Sequence, residues 1–324
     1  MNPLDKRPCL FVFAAEMKMP GPLFKPSTDD LQFIACQALE TPIRSSSVLD
    51  AQVGRMIRVK DETVQRGGSF KFRGAILGVR NAERGVLAAG AGNFPIAVGL
   101  AAKALSKPAC LVMPSDAPAF KREQAQKTGA EIRIAERSEL AAYAQMEARK
   151  RGWRNLHAFE DIEMIAGSYT LGSEIAAAIQ AASAASDAVV VACGGGGLAA
   201  GVALALRSRS VSAAIYVVEP ATHQRYARAR EVGMPVRIDP TGDTWCDALR
   251  SRQVGARAFE ILEQSNVRVR AVGDELVHDA SAFLHGTYDI RVEPSGALAM
   301  GAVLGGAVPR EHSRVWIIAC GGNV

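Results

Sequence analysis

The hydrophobic positions of this chain form two patterns that alternate from end to end. Short unbroken runs of small and branched apolar residues predict buried strands, and longer stretches between them predict helices. Strands are predicted at residues 55–60, 86–89, 109–113, 131–134, 188–192, 214–219 and 315–319. Helices are predicted from residue 28 towards residue 39 and at residues 72–79, 96–105, 120–128, 138–151, 167–182 and 198–207. This alternation is typical of an α/β protein with mostly parallel sheets.

The length and composition fit a globular α/β protein with two packed domains. The chain has 324 residues, of which 48% are hydrophobic, 22% charged and 6% aromatic. Abundant alanine and glycine suit closely packed layers of helices and sheets. The net charge of +5 is small, and no basic patch interleaved with aromatic residues indicates a nucleic-acid partner.

The cysteines and the N-terminal segment exclude several other classes of protein. Six cysteines are scattered without a CxxC pair or a Cys/His cluster, which argues against a disulfide framework and a zinc site. The apolar run at residues 10–15 is too short for the core of a signal peptide or for a membrane span. We therefore expect no membrane association and a location in the cytoplasm.

Lys71 is the strongest candidate for chemistry in the chain. It lies in the segment QRGGSFKFRGA at residues 65–75, between Phe70 and Phe72, with Ser69 two positions before it. An apolar environment lowers the pKa of a lysine and leaves its amine free to form a Schiff base with an aldehyde. Taken alone, the segment is also compatible with an ordinary surface lysine at the start of a helix.

Four consecutive glycines, followed by Leu198, connect a predicted strand to a predicted helix. Backbone N–H groups at such a helix N-terminus can bind phosphate, and glycine lets the backbone approach it closely. Gly194, Gly196 and Ala199, with Glu219 after the next strand, also satisfy the pattern of a dinucleotide-binding loop. On its own, the loop fits a phosphate site, a nicotinamide enzyme or a plain tight turn.

Read together, these two segments resemble one known family. With GAGN at residues 90–93 and CGGN at residues 320–323, they follow the order found in the pyridoxal-phosphate (PLP) enzymes of the threonine dehydratase and tryptophan synthase β family. The chain is similar to that family from about residue 27 to residue 323. The resemblance implies PLP as cofactor and assigns the four glycines to the PLP phosphate rather than to a dinucleotide.

The resemblance also implies a fold and a domain organisation. It predicts fold type II of the PLP enzymes, with two three-layer α/β domains built on mostly parallel sheets. Residues 1–54 and 166–324 are expected to form a large PLP-binding domain, and residues 55–165 a small substrate-binding domain inserted into it. Relatives are often homodimers, so a homodimer is an option for this chain.

Individual roles follow from the same resemblance. Lys71 is the expected catalytic residue, as carrier of the cofactor and as base at the substrate Cα. Cys320 is expected beside the pyridine nitrogen, where a thiol is too weak a donor to keep that nitrogen protonated. The expected cofactor-binding residues are Phe70, Lys71, Asn93, Gly194, Gly195, Gly196, Gly197, Leu198 and Cys320. The expected substrate-binding residues are Ser69, Gly90, Ala91, Gly92, Asn93, Phe94, Ser168 and Tyr169.

Several positions depart from the family pattern. Ala91 stands where racemases have an acid/base serine, so we expect elimination without efficient racemisation. Phe94 replaces the usual histidine, and it either admits a larger or aromatic substrate or packs into the small domain. Tyr169 likewise either points into the pocket or packs. Arg225 stands where several relatives have an acidic cation ligand, six residues after Glu219, so we expect no metal there.

The expected function is that of a PLP-dependent lyase, an ammonia-lyase (dehydratase) acting on a small-molecule amino acid. Its substrate is expected to be a β-hydroxy amino acid, which means serine, threonine or a 3-substituted serine, aromatic ones included. The products are a 2-oxo acid and ammonia. A β-replacement enzyme of the cysteine-synthase kind and a threonine-synthase-like enzyme remain alternatives. A nicotinamide-dependent oxidoreductase and a non-catalytic ligand-binding relative are alternatives of different classes.

Overall fold

Two separate sheets organise the chain in the computed structural model, which describes residues 24–324. In chain order the strands are β1 (Ile43–Ser45), β2 (Met56–Asp61), β3 (Val86–Ala89), β4 (Ala109–Pro114), β5 (Glu131–Ala135), β6 (Arg154–Leu156), β7 (Asp187–Ala192), β8 (Ala214–Pro220), β9 (Arg268–Val272) and β10 (Arg314–Ala319). The larger sheet has the order β1-β2-β10-β7-β8-β9, and the smaller sheet has the order β5-β4-β3-β6. All neighbouring strands are parallel except β1, which pairs antiparallel with β2.

Helices cover the faces of both sheets. In chain order they are α1 (Thr28–Gln37), α2 (Ser47–Val53), α3 (Lys71–Arg80), α4 (Asn93–Ala104), α5 (Ala119–Lys127), α6 (Leu140–Arg151), α7 (Ile162–Ala181), α8 (Gly197–Ser208), α9 (Arg225–Val232), α10 (Ala256–Gln264), α11 (Asp274–Tyr288) and α12 (Pro294–Leu304). Short 3₁₀ turns lie at Glu62–Val64, Arg66–Gly68 and Asp247–Leu249. Within residues 24–324, no helix is both long and apolar enough to cross a bilayer.

The central strand β7 explains why buried parallel strands have continuous apolar sequences. Val189 and Val191 point into one core, which they share with residues of α7 and α8. Val190 points the opposite way, into a second core that contains residues of α11 and α12. Because both faces of the strand are covered, polar residues have no solvated position along it.

The predicted strands are confirmed, with ends that differ by one residue or less, and so is the predicted α/β class. Two helices begin three or more residues earlier than predicted, α4 at Asn93 and α7 at Ile162. The predicted domain boundary needs one correction: β2 was assigned to the small domain, but it pairs with β10 in the larger sheet. The division into a large and a small domain otherwise stays a prediction. The apolar run at residues 10–15 lies outside the described residues.

Close packing between α3 and α7 fixes the helix that carries Lys71. A Cβ atom on Gly167 would overlap the backbone of Gly74, so the two helices touch backbone to backbone. The buried Arg73 adds ion pairs to Glu62 at 2.8 Å and to Glu174 at 2.6 Å. The start of α3 is therefore held in place by contacts with elements on either side of it.

Candidate active site

A cavity of about 310 Å³ lies between the two sheets, and strands from both end beside it. It collects residues that directly follow β3 in the smaller sheet and β7 and β10 in the larger one. The carboxyl ends of parallel strands are the usual place for ligand sites in α/β proteins. The predicted site residues that line the cavity are Phe70, Lys71, Gly90, Ala91, Gly92, Asn93, Phe94, Gly194, Gly195, Gly196, Gly197, Leu198 and Cys320.

Lys71 is the first residue of α3, and its amine lies in this cavity. The half-buried side chain places Nζ 4.7 Å from the centre of the Phe70 ring, and Nζ donates to the carbonyl of Ala158 at 3.1 Å. Burial lowers the pKa of Lys71 from 10.5 to about 8, although the carboxylate of Glu293 acts in the opposite direction. A lowered pKa increases the uncharged, nucleophilic fraction of the amine at neutral pH.

The glycine loop forms a backbone cradle between β7 and α8. Among residues 24–324, no acceptor bonds to the N–H groups of Gly194, Gly195 or Gly196. Gly196 has a φ of +90°, which favours glycine, and a Cβ atom on Gly195 would overlap the ring of Phe159. Free N–H groups at the start of a helix form a binding site for an anion such as phosphate.

Asn93 is held from two sides at the start of α4. Its Nδ2 donates to Oε1 of Glu293 at 2.6 Å, and its Oδ1 accepts from Nδ2 of Asn323 at 2.8 Å. Asn323 also donates to the carbonyl of Gly67 at 2.8 Å. Because one neighbour accepts and the other donates, both contacts specify the same orientation of the Asn93 amide.

Five charged residues that line the cavity were not predicted as site residues: Lys121, Arg137, Asp247, Arg250 and Glu293. Lys121, from α5, lies with its Nζ 2.7 Å from Oδ2 of Asp247 and 3.5 Å from Oε2 of Glu293. The sequence around Lys121 does not distinguish it from an exposed helix lysine, because its partners Asp247 and Glu293 lie 126 and 172 positions away.

Phe159 is a further lining residue that the sequence did not reveal. It follows Ala158, the acceptor of the Lys71 amine, and its ring packs on the glycine loop. On the other side of the cavity, Sγ of Cys320 lies 3.7 Å from the carbonyl oxygen of Ser295. Burial raises the pKa of the Cys320 thiol, so this group is uncharged at neutral pH.

Three predicted substrate-binding residues are not part of the cavity lining within the described chain. Ser69 is fully buried and forms a backbone bridge with Gly321. Ser168 donates to the carbonyl of Met164 inside α7, and its side chain packs against α8. Tyr169 belongs to the core between these helices. These three residues therefore lie beside the lining, and their role in substrate binding stays a prediction.

Phe94 combines the two roles that the sequence left open. Its side chain is 6% exposed and belongs to the core of the smaller sheet, yet it also lines the cavity. Replacing this ring therefore affects packing as well as the shape of the site.

Glu219 does not play the part expected in a nicotinamide enzyme. Its buried carboxylate accepts the backbone N–H groups of Tyr226 at 2.9 Å and Ala227 at 3.0 Å, so it caps α9 instead of facing a ribose. Arg225 lies beside it, with Nε 3.8 Å from Oε1 of Glu219 and Nη1 donating to the carbonyl of Cys193 at 2.7 Å. Arg225 thus connects Glu219 to the residue that precedes the glycine loop.

Comparison with known proteins decides whether the glycine loop belongs to a PLP enzyme or to a nicotinamide enzyme. The family described as "Pyridoxal-phosphate dependent enzyme" matches residues 37–321 of this chain. The chain belongs to this family. The predicted family, fold type and cofactor are therefore confirmed, and the nicotinamide alternative is wrong.

Relatives in the PLP-dependent family cover nearly the whole chain. L-threo-3-hydroxyaspartate ammonia-lyase of Pseudomonas sp is 33% identical over 294 residues, which span 89% of this chain and 91% of the relative. Serine racemase of Arabidopsis thaliana is 31% identical over 299 residues, spanning 88% of each. The crystal structure of a T.th. threonine deaminase matches with a TM-score of 0.85 at 32% identity, covering 92% of this chain and 99% of that chain.

The residues of the cavity fit PLP. The free N–H groups of the glycine loop suit its phosphate, and the Lys71 amine suits its aldehyde. The uncharged thiol of Cys320 and the amide of Asn93 are available to polar atoms of the ring.

Proposed function

We propose that this protein is a PLP-dependent ammonia-lyase that removes water from a β-hydroxy amino acid and yields a 2-oxo acid and ammonia. The observation that carries the proposal is the sharing of one cavity by Lys71, with its lowered pKa, and the glycine loop with its free N–H groups. Ammonia-lyases of hydroxyaspartate and threonine among the relatives support this class of reaction. When bound, PLP supplies an electron sink for negative charge at the substrate Cα.

The residues of the cavity have different roles in the elimination. Lys71 would hold the cofactor through its amine, and the same amine would accept the proton from the substrate Cα. The glycine loop would bind the phosphate and orient the cofactor. The neutral thiol of Cys320 is a weak donor, so it would not supply the pyridine nitrogen with a proton, which would favour rapid loss of the β-hydroxyl. Ala91 lines the cavity but cannot transfer a proton, so racemisation is inefficient.

The residues that line the cavity indicate which amino acids should be tested as substrates. Arg137 and Arg250 line the cavity beside the residues already named, so a substrate with a second carboxylate, such as 3-hydroxyaspartate, belongs in the panel with serine and threonine. Phe94 supports the inclusion of an aromatic 3-substituted serine. A small-molecule amino acid is thus the partner of this site.

We also propose that no divalent cation is needed. The guanidinium of Arg225 lies beside Glu219 and bonds to the backbone in front of the glycine loop, where it supplies a fixed positive charge. Treatment with a chelator should leave activity unchanged, and restoration of lost activity by Mg²⁺ would contradict this part of the proposal. A cytoplasmic location and a homodimer belong to the proposal as predictions.

The function is tested by incubating the purified holoprotein with L-serine, L-threonine, L-threo-3-hydroxyaspartate and phenylserine and measuring 2-oxo acid. At least one substrate should give oxo acid and ammonia in equal amounts, and Lys71→Ala should give none. Product formation only in the presence of added sulfide would favour β-replacement and contradict the proposal. D-amino acid formation faster than oxo acid formation would contradict the role given to Ala91.

A further inference from the structure

Lys121 occupies an unusual position for a lysine, because it is 3% exposed inside the cavity and joins the two halves of the site. It comes from α5 beside the smaller sheet. Its two carboxylate partners, Asp247 and Glu293, come from segments that pack with the larger sheet. Within residues 24–324, neither carboxylate has an ion pair with a second lysine or arginine. Lys121 is therefore the counter-charge for both.

The charge states of Lys121 and Glu293 depend on one another. Burial raises the pKa of Glu293, and Lys121 opposes that shift. Burial also lowers the pKa of Lys121, but Glu293 and Asp247 outweigh it, so the net pKa of Lys121 is raised. Without the ammonium, the buried carboxylate of Glu293 would lie near the partly exposed carboxylate of Asp247 with no ion-pair partner, and protonation of Glu293 would relieve their repulsion.

The ionised form of Glu293 matters because of its bond to Asn93. A carboxylate can only accept hydrogen bonds, so it requires the Nδ2 group of Asn93 to face it. An amide nitrogen carries two hydrogens, which leaves one for an acceptor in the cavity. A protonated Glu293 could donate instead, and it would then oppose the orientation of the Asn93 amide that Asn323 specifies.

We propose that Lys121 is a positioning residue: by keeping Glu293 a carboxylate, it fixes the amide of Asn93 so that an N–H faces the cofactor. The inference rests on the proposed function, because it concerns the cofactor of that site. Lys121 acts through Glu293 and Asn93, and it does not itself contact the reacting atoms.

The test compares Lys121→Met with Lys121→Arg, which keeps the charge, and with Lys107→Met as a matched control. Lys107 is a half-buried lysine beside the smaller sheet, and its amine donates to the carbonyls of Val79 and Arg80, away from the cavity. Three readouts are taken: affinity of the apoprotein for PLP, the visible spectrum of the holoprotein as a function of pH, and kcat separately from KM.

Lys121→Met is expected to weaken PLP binding roughly tenfold or more, as for loss of a hydrogen bond to a charged group. It should also shift the pH dependence of the visible band and lower kcat more than it changes KM. Lys121→Arg should restore most of the wild-type spectrum. Lys107→Met should lower the unfolding temperature while PLP affinity and spectrum stay unchanged.

Glu293→Gln provides a second, independent variant, because it keeps the shape of the side chain and removes its charge. It should reproduce the spectral change of Lys121→Met, and the double variant should be no worse than either single one. Wild-type affinity and spectrum in Lys121→Met, or strictly additive effects in the double variant, would overturn the inference. If Lys121→Met does not fold, Glu293→Gln and Lys121→Arg decide in the same way.

Failure of this inference can be told apart from failure of the proposed function. An unaltered protein that binds PLP and forms oxo acid, together with an unaffected Lys121→Met, overturns only the role of Lys121. An unaltered protein that does not bind PLP overturns the proposed function and this inference with it.

Discussion

The backbone N–H of Phe70 donates to the carbonyl oxygen of Cys320 at 3.2 Å. This bond attaches the start of the helix that carries Lys71 to the end of the central strand β10. The adjacent bridge between Ser69 and Gly321 extends the same contact. Two segments that line the cavity are therefore joined directly, although some 250 residues separate them in the chain.

The glycine loop should tolerate no side chain at Gly195. A methyl group there would overlap the ring of Phe159 and displace the loop, so Gly195→Ala should weaken PLP binding by at least an order of magnitude. PLP affinity of the apoprotein is measured by titration. Gly286→Ala is the control, because this exposed helix glycine has open space around it and should leave affinity unchanged. Equal affinities for both variants would contradict the role of the cradle.

Tyr169 should be dispensable for substrate binding. Its ring packs in the core between α7 and α8, outside the cavity lining given by the described residues. Tyr169→Phe keeps that packing, so KM for the best substrate should change less than about twofold. Steady-state kinetics measure this KM. A tenfold increase would indicate that Tyr169 does contact the substrate and would contradict the prediction.

The rate at which the apoprotein captures PLP should depend on pH through Lys71. Burial lowers the pKa of this amine from 10.5 to about 8, so roughly one tenth is uncharged at pH 7 and about nine tenths at pH 9. The uncharged amine is the nucleophile, so the rate should rise about tenfold over that interval and then level off. The visible absorbance of the forming complex follows the rate.

Free Nα-acetyl-lysine is the control for that pH profile. Its amine has an ordinary pKa, so its reaction with PLP should keep accelerating above pH 10. A protein profile that runs parallel to that of the free amine would contradict a perturbed lysine.

Loss of the guanidinium of Arg225 should destabilise the protein. Arg225→Met leaves the buried carboxylate of Glu219 without its positive neighbour, and breaking a buried pair costs roughly 3–5 kcal/mol. Urea unfolding measures the change. The control is Arg228→Met on the same helix, whose exposed pair with Glu231 contributes at most about 1 kcal/mol. Equal changes in the two variants would contradict a structural role for the buried Arg225 pair.

The sequence predicted those parts of the molecule that are encoded locally. Lys71 and the four glycines stand in short patterns whose order along the chain indicates the family, and the buried strands have unbroken apolar runs. Their positions could be derived before any contact was known.

The missed features depend on contacts between distant segments. The sequence neighbours of Lys121 are those of any exposed helix lysine. Its ion-pair partner Asp247 lies 126 positions away in the chain. Glu293 and Asn93 meet across 200 positions. The sequence left the direction of Tyr169 open because α7 is buried on most of its surface, so its apolar residues do not mark one inward face.

The most direct test of the account is to reduce the holoprotein with borohydride, digest it and locate the modified lysine by mass spectrometry. The account predicts a single pyridoxyl-phosphate adduct, on Lys71. The Lys71→Ala variant should lack the visible absorbance band even without borohydride treatment. An adduct on another lysine, or a protein that takes up PLP without any covalent adduct, would contradict it.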